Sequence, residues 1–167
     1  MEDAPALARE ADDPAVYAGL RDYFPHPYTV DDALRFIEVV HDKGPRAPHW
    51  AVQVDGEVAG IMGVFPGEGV YRYNAELGYW LGRRFWGRGV GTEAIRLAVA
   101  HAWSELPLRR LYAEVFADNA GSIRALEKNG FTVEYRLDDV IVKNRRRLGV
   151  VCLGLRRGRE DRRDGDR

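Results

Sequence analysis

One group of residues in this chain has types and spacing suited to chemistry, a glycine–arginine run that closes a strand-like segment carrying a carboxylate. The run is "LGRRFWGRGVGTEA", Leu81 to Ala94, and it leads directly into an amphipathic helical pattern. The first amides of a helix have no partner inside it, and the helix dipole adds positive potential there. Gly89 and Gly91 place no Cβ between those amides and an anion, and Arg83, Arg84 and Arg88 add mobile positive charge. The physical reading is a phosphate or pyrophosphate site over Arg88, Gly89, Val90, Gly91 and Thr92, with Thr92 as the expected helix cap. The competing reading is that the glycines only make a tight entry to the helix.

Known phosphate motifs narrow this further. A Walker loop ends in Gly-Lys-Ser/Thr, and "GRGVGTE" has no lysine. The dinucleotide fingerprint G-x-G-x-x-G/A is matched in form by Gly89, Gly91 and Ala94, with Glu114 where a ribose-binding acid would stand. In that motif the strand enters the first glycine almost directly, whereas here all of Gly82 to Arg88 intervenes. Too little chain follows to complete a doubly wound sheet.

Other reactive side chains offer less. His26, His41, His49 and His101 have no metal-type spacing, and neither CxxC nor HExxH occurs, so no metal is expected. Cys152 lies in an apolar run and reads as a small buried hydrophobe. A lone cysteine allows no intrachain disulfide and suits a reducing compartment, so the expected location is cytoplasmic.

The elements that must position these residues follow from local patterns. "DPAVYAGLRDYF" and "TVDDALRFIEVVHD" read as helices, the second capped by Thr29. "HWAVQVDGEVAGIMGVF" is a hairpin about Asp55-Gly56, and "NAELGYWL" is a third strand ending at the glycine turn. The next helix has Ile95, Ala98, Val99, Ala102 and Trp103 on one face. "RRLYAEVF" is a strand, "AGSIRALEKN" a helix closed by Gly130, and two long strands joined about "KNRR" finish the fold. This is an α+β pattern, with a central mixed, largely antiparallel sheet flanked by helices.

The 167 residues suggest one domain, residues 1–156, followed by a charged, disordered tail, 157–167. A net charge of −1 argues against nucleic acid as a partner, and no apolar run has bilayer-spanning length.

"AELGYWLGRRFWGRGVGTEAI", followed by "NAGSIRALEKNGF", resembles the GNAT superfamily of acetyl-CoA-dependent N-acetyltransferases. "FPHPYTVDDALRFI" and "YWLGRRFWGRGVGTEA" are similar to its RimJ/RimL branch of ribosomal-protein N-terminal acetyltransferases. The resemblance covers about Asp13 to Arg156. It implies that the amides over Arg88–Thr92 hold the cofactor's pyrophosphate, with Trp86 in the place of a usual Gln or Arg. It also implies that Tyr79, Trp80 and Leu81 offer main-chain groups to pantetheine, and that Asn119 contacts that arm. The family's opening strand has no counterpart before the acidic stretch at Met1. The chain either lacks that strand or begins inside the family's pattern, and the exposed sheet edge would invite a second copy.

The implied reaction moves acetyl from acetyl-CoA to a primary amine, by direct attack on the thioester, with coenzyme A as product. Glu76 matches the branch's glutamate and is the candidate general base, acting through water. A backbone amide near Tyr79 or Trp80, at a bulge in the strand, would stabilise the oxyanion. The family's usual tyrosine acid is replaced by Leu126, leaving Ser122 as a candidate donor to the thiolate or as a helix-capping serine. The expected acceptor is a protein or peptide N-terminal α-amine. The alternatives are a small amine (an antibiotic, polyamine or amino-acid derivative) and, in another class, a non-catalytic acyl-CoA-binding protein. Monomer and homodimer both fit.

Overall fold

Ala4, Leu7, Ala8 and Ala11 lie at the spacing of one helical face, and all four are buried on helix α1 (Ala4–Ala11). The computed structural model containing this helix describes residues 2–158. The sequence reading assigned no element to that opening segment. The second helix is shorter than expected. α2 (Pro14–Ala18) is capped by Asp13, which accepts from the Ala15 amide at 2.7 Å, and it ends at Gly19 instead of continuing to Phe24. The chain beyond is drawn onto the sheet: the Phe24 ring packs at 4.8 Å from Tyr28 and 5.7 Å from Trp80, and the Tyr28 amide donates to Asp12. α3 (Val30–Lys43) carries the expected cap, since Thr29 and Asp32 satisfy each other's backbone amides reciprocally.

A single six-stranded sheet follows. Its strands are β1 (His49–Val54), β2 (Glu57–Pro66), β3 (Asn74–Leu81), β4 (Arg110–Phe116), β5 (Thr132–Lys143) and β6 (Arg146–Arg156). α4 (Val90–Glu105) crosses from β3 to β4, and α5 (Ala120–Glu127) joins β4 to β5. The spatial order is β1-β2-β3-β4-β6-β5, antiparallel at every pair except β3–β4. The expected mixed, largely antiparallel sheet is therefore present, with β1 at one edge. Asp55 and Gly56 both take positive φ in the β1–β2 turn, and Asn144 and Arg145 do so between β5 and β6. That is the backbone twist a two-residue hairpin needs.

Alternation along the strands divides the core between the two faces. Ile95, Ala98 and Ala102 of α4 and Leu126 of α5 pack on one face against Met62, Leu77, Leu111 and Leu153. Each fully buried aliphatic side chain there contributes roughly 1.5–3 kcal/mol. α1 and α3 cover the other face, where Val58, Ile61 and Trp80 meet them.

The feature that makes a site is the junction of β3 and β4. These parallel strands pair only from Asn74↔Arg110 to Glu76↔Tyr112. Beyond that point β3 stays with β2 as far as Leu81↔Gly60, and β4 stays with β6 as far as Phe116↔Val150. Each strand is held by its outer neighbour, so a wedge opens between residues 77–81 and 113–116. The expected bulge in β3 is absent, because its register with β2 runs without a shift. The backbone is exposed by splaying instead.

Among the described residues no helix is long and apolar enough to cross a membrane. Nor, among them, could any group of three or more His, Cys, Asp or Glu residues hold a metal ion. The tail reading falls almost wholly outside the described residues.

Candidate active site between the splayed strands

The glycine–arginine run follows β3 at the open end of the wedge. Gly82 leads into a 3₁₀ turn, Arg83–Phe85, with Phe85 buried beneath it. The Trp86 indole N–H donates to the Leu81 carbonyl at 2.8 Å and closes the turn. Gly87 and Gly89 have φ of 71° and 80°. A Cβ at either would meet nothing within 4 Å, so it is the left-handed backbone, and not crowding, that calls for glycine.

Helix α4 starts at Val90 with Gly89 as its N-cap, which corrects the expected cap at Thr92. Thr92 lies in the first turn, where its carbonyl accepts from Asn129 Nδ2 at 3.0 Å and ties α4 to the end of α5. No side chain caps α4, whereas Asp13, Thr29 and Asn119 cap α2, α3 and α5. The amides of Val90, Gly91 and Thr92 precede the first intrahelical bond, Glu93 N–H to Gly89 C=O at 3.0 Å. Three uncapped amides and the positive end of a 16-residue helix thus stand where the wedge opens.

The three arginines separate. Arg83 and Arg88 are exposed beside the loop. Arg84 is turned onto α1 and β2: its guanidinium lies 3.0 Å from the buried Glu10 carboxylate and 2.6 Å from Glu57. Its expected part in phosphate binding gives way to holding the loop against α1.

β3 presents different groups to its two faces. Leu77, Tyr79 and Leu81 point toward α4 and α5, while Glu76 and Trp80 point to the opposite face. The Tyr79 hydroxyl lies 2.8 Å from Ser122 Oγ. Burial pushes the Tyr79 phenol up, and the Ser122 hydrogen bond partly offsets this, so it stays protonated as a donor. Asn119 Oδ1 accepts from the Ser122 amide at 3.1 Å and caps α5, which leaves the serine hydroxyl for Tyr79. Leu126, at the family's tyrosine position, is fully buried in the core. The side chain of Tyr79 joins the site beyond its expected main-chain part, and strand alternation already separates it from Glu76.

On the opposite face Glu76 is 2.6 Å from Arg21, which also lies 3.7 Å from Glu114. Tyr135 donates its hydroxyl to Glu114 at 3.0 Å. Cys152 is buried on β6 and burial pushes its thiol up, which disfavours a thiolate nucleophile. His26 stacks on Tyr17 with ring centroids 5.0 Å apart, and Tyr71 is exposed in the turn before β3. A cavity of about 810 Å³ lies between β1 and α4, lined by Trp50, Val52, Met62, Leu97 and His101, and meets the loop at Arg88–Val90. Glu76, Tyr79 and Ser122 do not line it.

This arrangement suits a long, thin ligand with an anionic middle. The uncapped amides that follow Gly89 could meet an anion without an intervening Cβ at that glycine, and the stretch of β3 left unpaired by β4 could offer main-chain groups to an extended arm.

Comparison with known proteins agrees. Residues 1–132 match the family model described as an acetyltransferase (GNAT) domain, and the chain belongs to that family. The N-acetyltransferase p20 of Bacillus licheniformis is 30% identical over 162 residues, covering 93% of this chain and 88% of p20. Spermidine N(1)-acetyltransferase of Escherichia coli (strain K12) is 31% identical over 120 residues, 71% of this chain and 63% of that enzyme. The chain therefore spans less than two thirds of the latter's length. The solved structure of RimL, a ribosomal L7/L12 alpha-N-protein acetyltransferase in complex with coenzyme A, superposes with a TM-score of 0.79 at 20% identity. It covers 93% of this chain and 89% of RimL, and shows that the fold is shared.

Proposed function

We propose that this domain transfers acetyl from acetyl-CoA to a primary amine, and that the amine is the α-amine of a protein or peptide N-terminus. The observation that carries the reading is the β3–β4 wedge, with uncapped helix amides at its open end, a carboxylate on one face and a hydroxyl pair on the other. Acetyl-CoA supplies the activated acetyl group as a thioester. Val90, Gly91 and Thr92 would hold its pyrophosphate through their amides, with Arg83 and Arg88 beside them. Main-chain groups of Tyr79, Trp80 and Leu81 would align its pantetheine arm, with Asn119 Nδ2 near it.

The chain's own groups then divide the proton chemistry. Glu76, through water, takes the proton from the acceptor ammonium or from the attacking amine. An α-amine of pKa near ~8 is already partly neutral at pH 7, so it asks less of a general base than a lysine near ~10.4 does. The main-chain amides of β3 that splaying frees are the donors nearest the wedge for an oxyanion. Tyr79 donating to Ser122 leaves the serine O–H free to donate to the departing thiolate.

The second reading, acetylation of a small cationic amine, draws on Glu76 and Glu114 at the lips of the wedge and on the spermidine acetyltransferase relative. Titration with acetyl-CoA, followed by thiol release against panels of N-terminal peptides and small amines, tests both. No turnover on any amine despite tight binding would favour the non-catalytic acyl-CoA-binding alternative.

A further inference from the structure

Glu76 and Glu114 point to the same face, because Glu76 is in register with Tyr112 and Glu114 lies two residues further along β4. The strands part from there, so the two carboxylates stand on opposite lips of the wedge. Their side chains are 25% and 34% exposed. Arg21 reaches both, at 2.6 Å and 3.7 Å, from the segment after α2.

That segment is held on both sides. The neighbouring Asp22 is 2.7 Å from Lys143, a buried lysine whose ammonium also sits 3.4 Å from the centre of the Tyr17 ring. Phe24 packs on Trp80. Arg21 is thus anchored across the acceptor side of the wedge.

We infer that Arg21 selects the acceptor by charge: its guanidinium occupies the position between Glu76 and Glu114 that the second cation of a diamine or polyamine would take. With Arg21 in place the three groups together carry one net negative charge, which suits an acceptor with a single cationic centre. Without it, two carboxylates would face the acceptor and favour a dication. The inference rests on the acetyl-transfer reading of this site. The other charged or titratable groups near the pair are Tyr112 and Glu114 on β4, Tyr23 beside Arg21, Arg110 against the Tyr112 ring, Tyr135 on β5 and Cys152 on β6. From β2, the register partner of Glu76 is Phe65, which does not titrate.

The test compares wild type, Arg21→Gln and Arg21→Lys on 1,4-diaminobutane, on butylamine and on a tripeptide with a free N-terminus. In Arg21→Gln the kcat/KM ratio of diamine to monoamine rises about tenfold, as expected for adding one uncompensated charge to a half-exposed site. The kcat/KM ratio of diamine to tripeptide rises with it, because the tripeptide, like butylamine, brings a single cationic centre to the two carboxylates. Arg21→Lys restores both. If Arg21→Gln does not fold, Glu114→Gln reads the site from its other lip, and its diamine ratio falls below wild type. An active wild type whose Arg21 and Glu114 variants keep both of its ratios overturns the inference and leaves the acetyl-transfer reading standing. A wild type that binds acetyl-CoA and acetylates no amine overturns both.

Discussion

The Tyr79 hydroxyl and Ser122 Oγ lie 2.8 Å apart across 43 positions of sequence, joining β3 to the first turn of α5 beside the wedge. Burial keeps the phenol protonated, so on the proposed reading the pair would donate a hydrogen bond to a departing thiolate without surrendering the phenol proton outright. Groups that act as one unit give non-additive losses. Tyr79→Phe and Ser122→Ala are each expected to lower kcat by about 10–100-fold, the loss of one hydrogen bond to a charged group. The double variant should fall no further than the worse single one. Thiol-release kinetics measure this, and losses that multiply would mean the two hydroxyls act separately.

Glu76 is expected to matter for turnover and not for cofactor affinity, since it faces away from the helix amides. Glu76→Gln should lower kcat by about 10²-fold while the Kd for acetyl-CoA stays within twofold, roughly the scale of general-base assistance. Calorimetry and steady-state rates on the same preparation decide it. A variant with wild-type kcat would remove Glu76 from the chemistry.

Gly89 should separate backbone strain from charge. Its φ of 80° costs a substituted residue about 1–2 kcal/mol, and a Cβ there meets no neighbour. Gly89→Ala should therefore unfold a few degrees earlier yet still bind acetyl-CoA. Gly89→Glu should show similar stability but lose at least about 10²-fold in affinity, because its carboxylate competes for the same amides. Equal affinities in the two variants would place the pyrophosphate elsewhere.

His49 gives the fold an acid-sensitive point away from the wedge. Its ring packs edge-on against Phe36 and Phe65, Nδ1 lies 2.8 Å from the Ala47 carbonyl, and burial, the largest cause, pushes its pKa below 6.5. The native state therefore takes up a proton less readily than the unfolded chain. Its contribution to stability is present above pH 6.5 and is lost as the pH falls below that value toward the depressed native pKa. Scanning Tm from pH 8 to pH 5 should show a decline that His49→Phe, which keeps an aromatic ring there, makes shallower. An identical slope in the variant would rule out His49 as the cause.

Much of this protein could be read from its residues alone, wherever the deciding forces act between near neighbours. Thr29 and Asp32 stand three apart and cap α3 as their types require. Asp55-Gly56 turns the β1–β2 hairpin because both residues tolerate positive φ. The face of α4 followed from 3.6-residue spacing, and the glycines before it marked the loop. Ala4, Leu7, Ala8 and Ala11 have the same spacing, yet α1 was not anticipated, because Arg9 and Glu10 interrupt so short a pattern.

Tertiary structure alone decided the remainder. Arg84 and Glu10 are 74 positions apart, and their pairing takes the arginine away from the phosphate loop. Arg21 meets Glu76 across 55 positions and sets a cation beside the strand carboxylate. The wedge itself has no local signature. β3 and β4 part because β2 holds one and β6 the other, and the outer neighbour that each strand keeps is a property of the whole sheet. Spacing specifies which groups a helix turn or a hairpin brings together, whereas long-range pairing depends on the chain's path between them, which residue spacing does not encode.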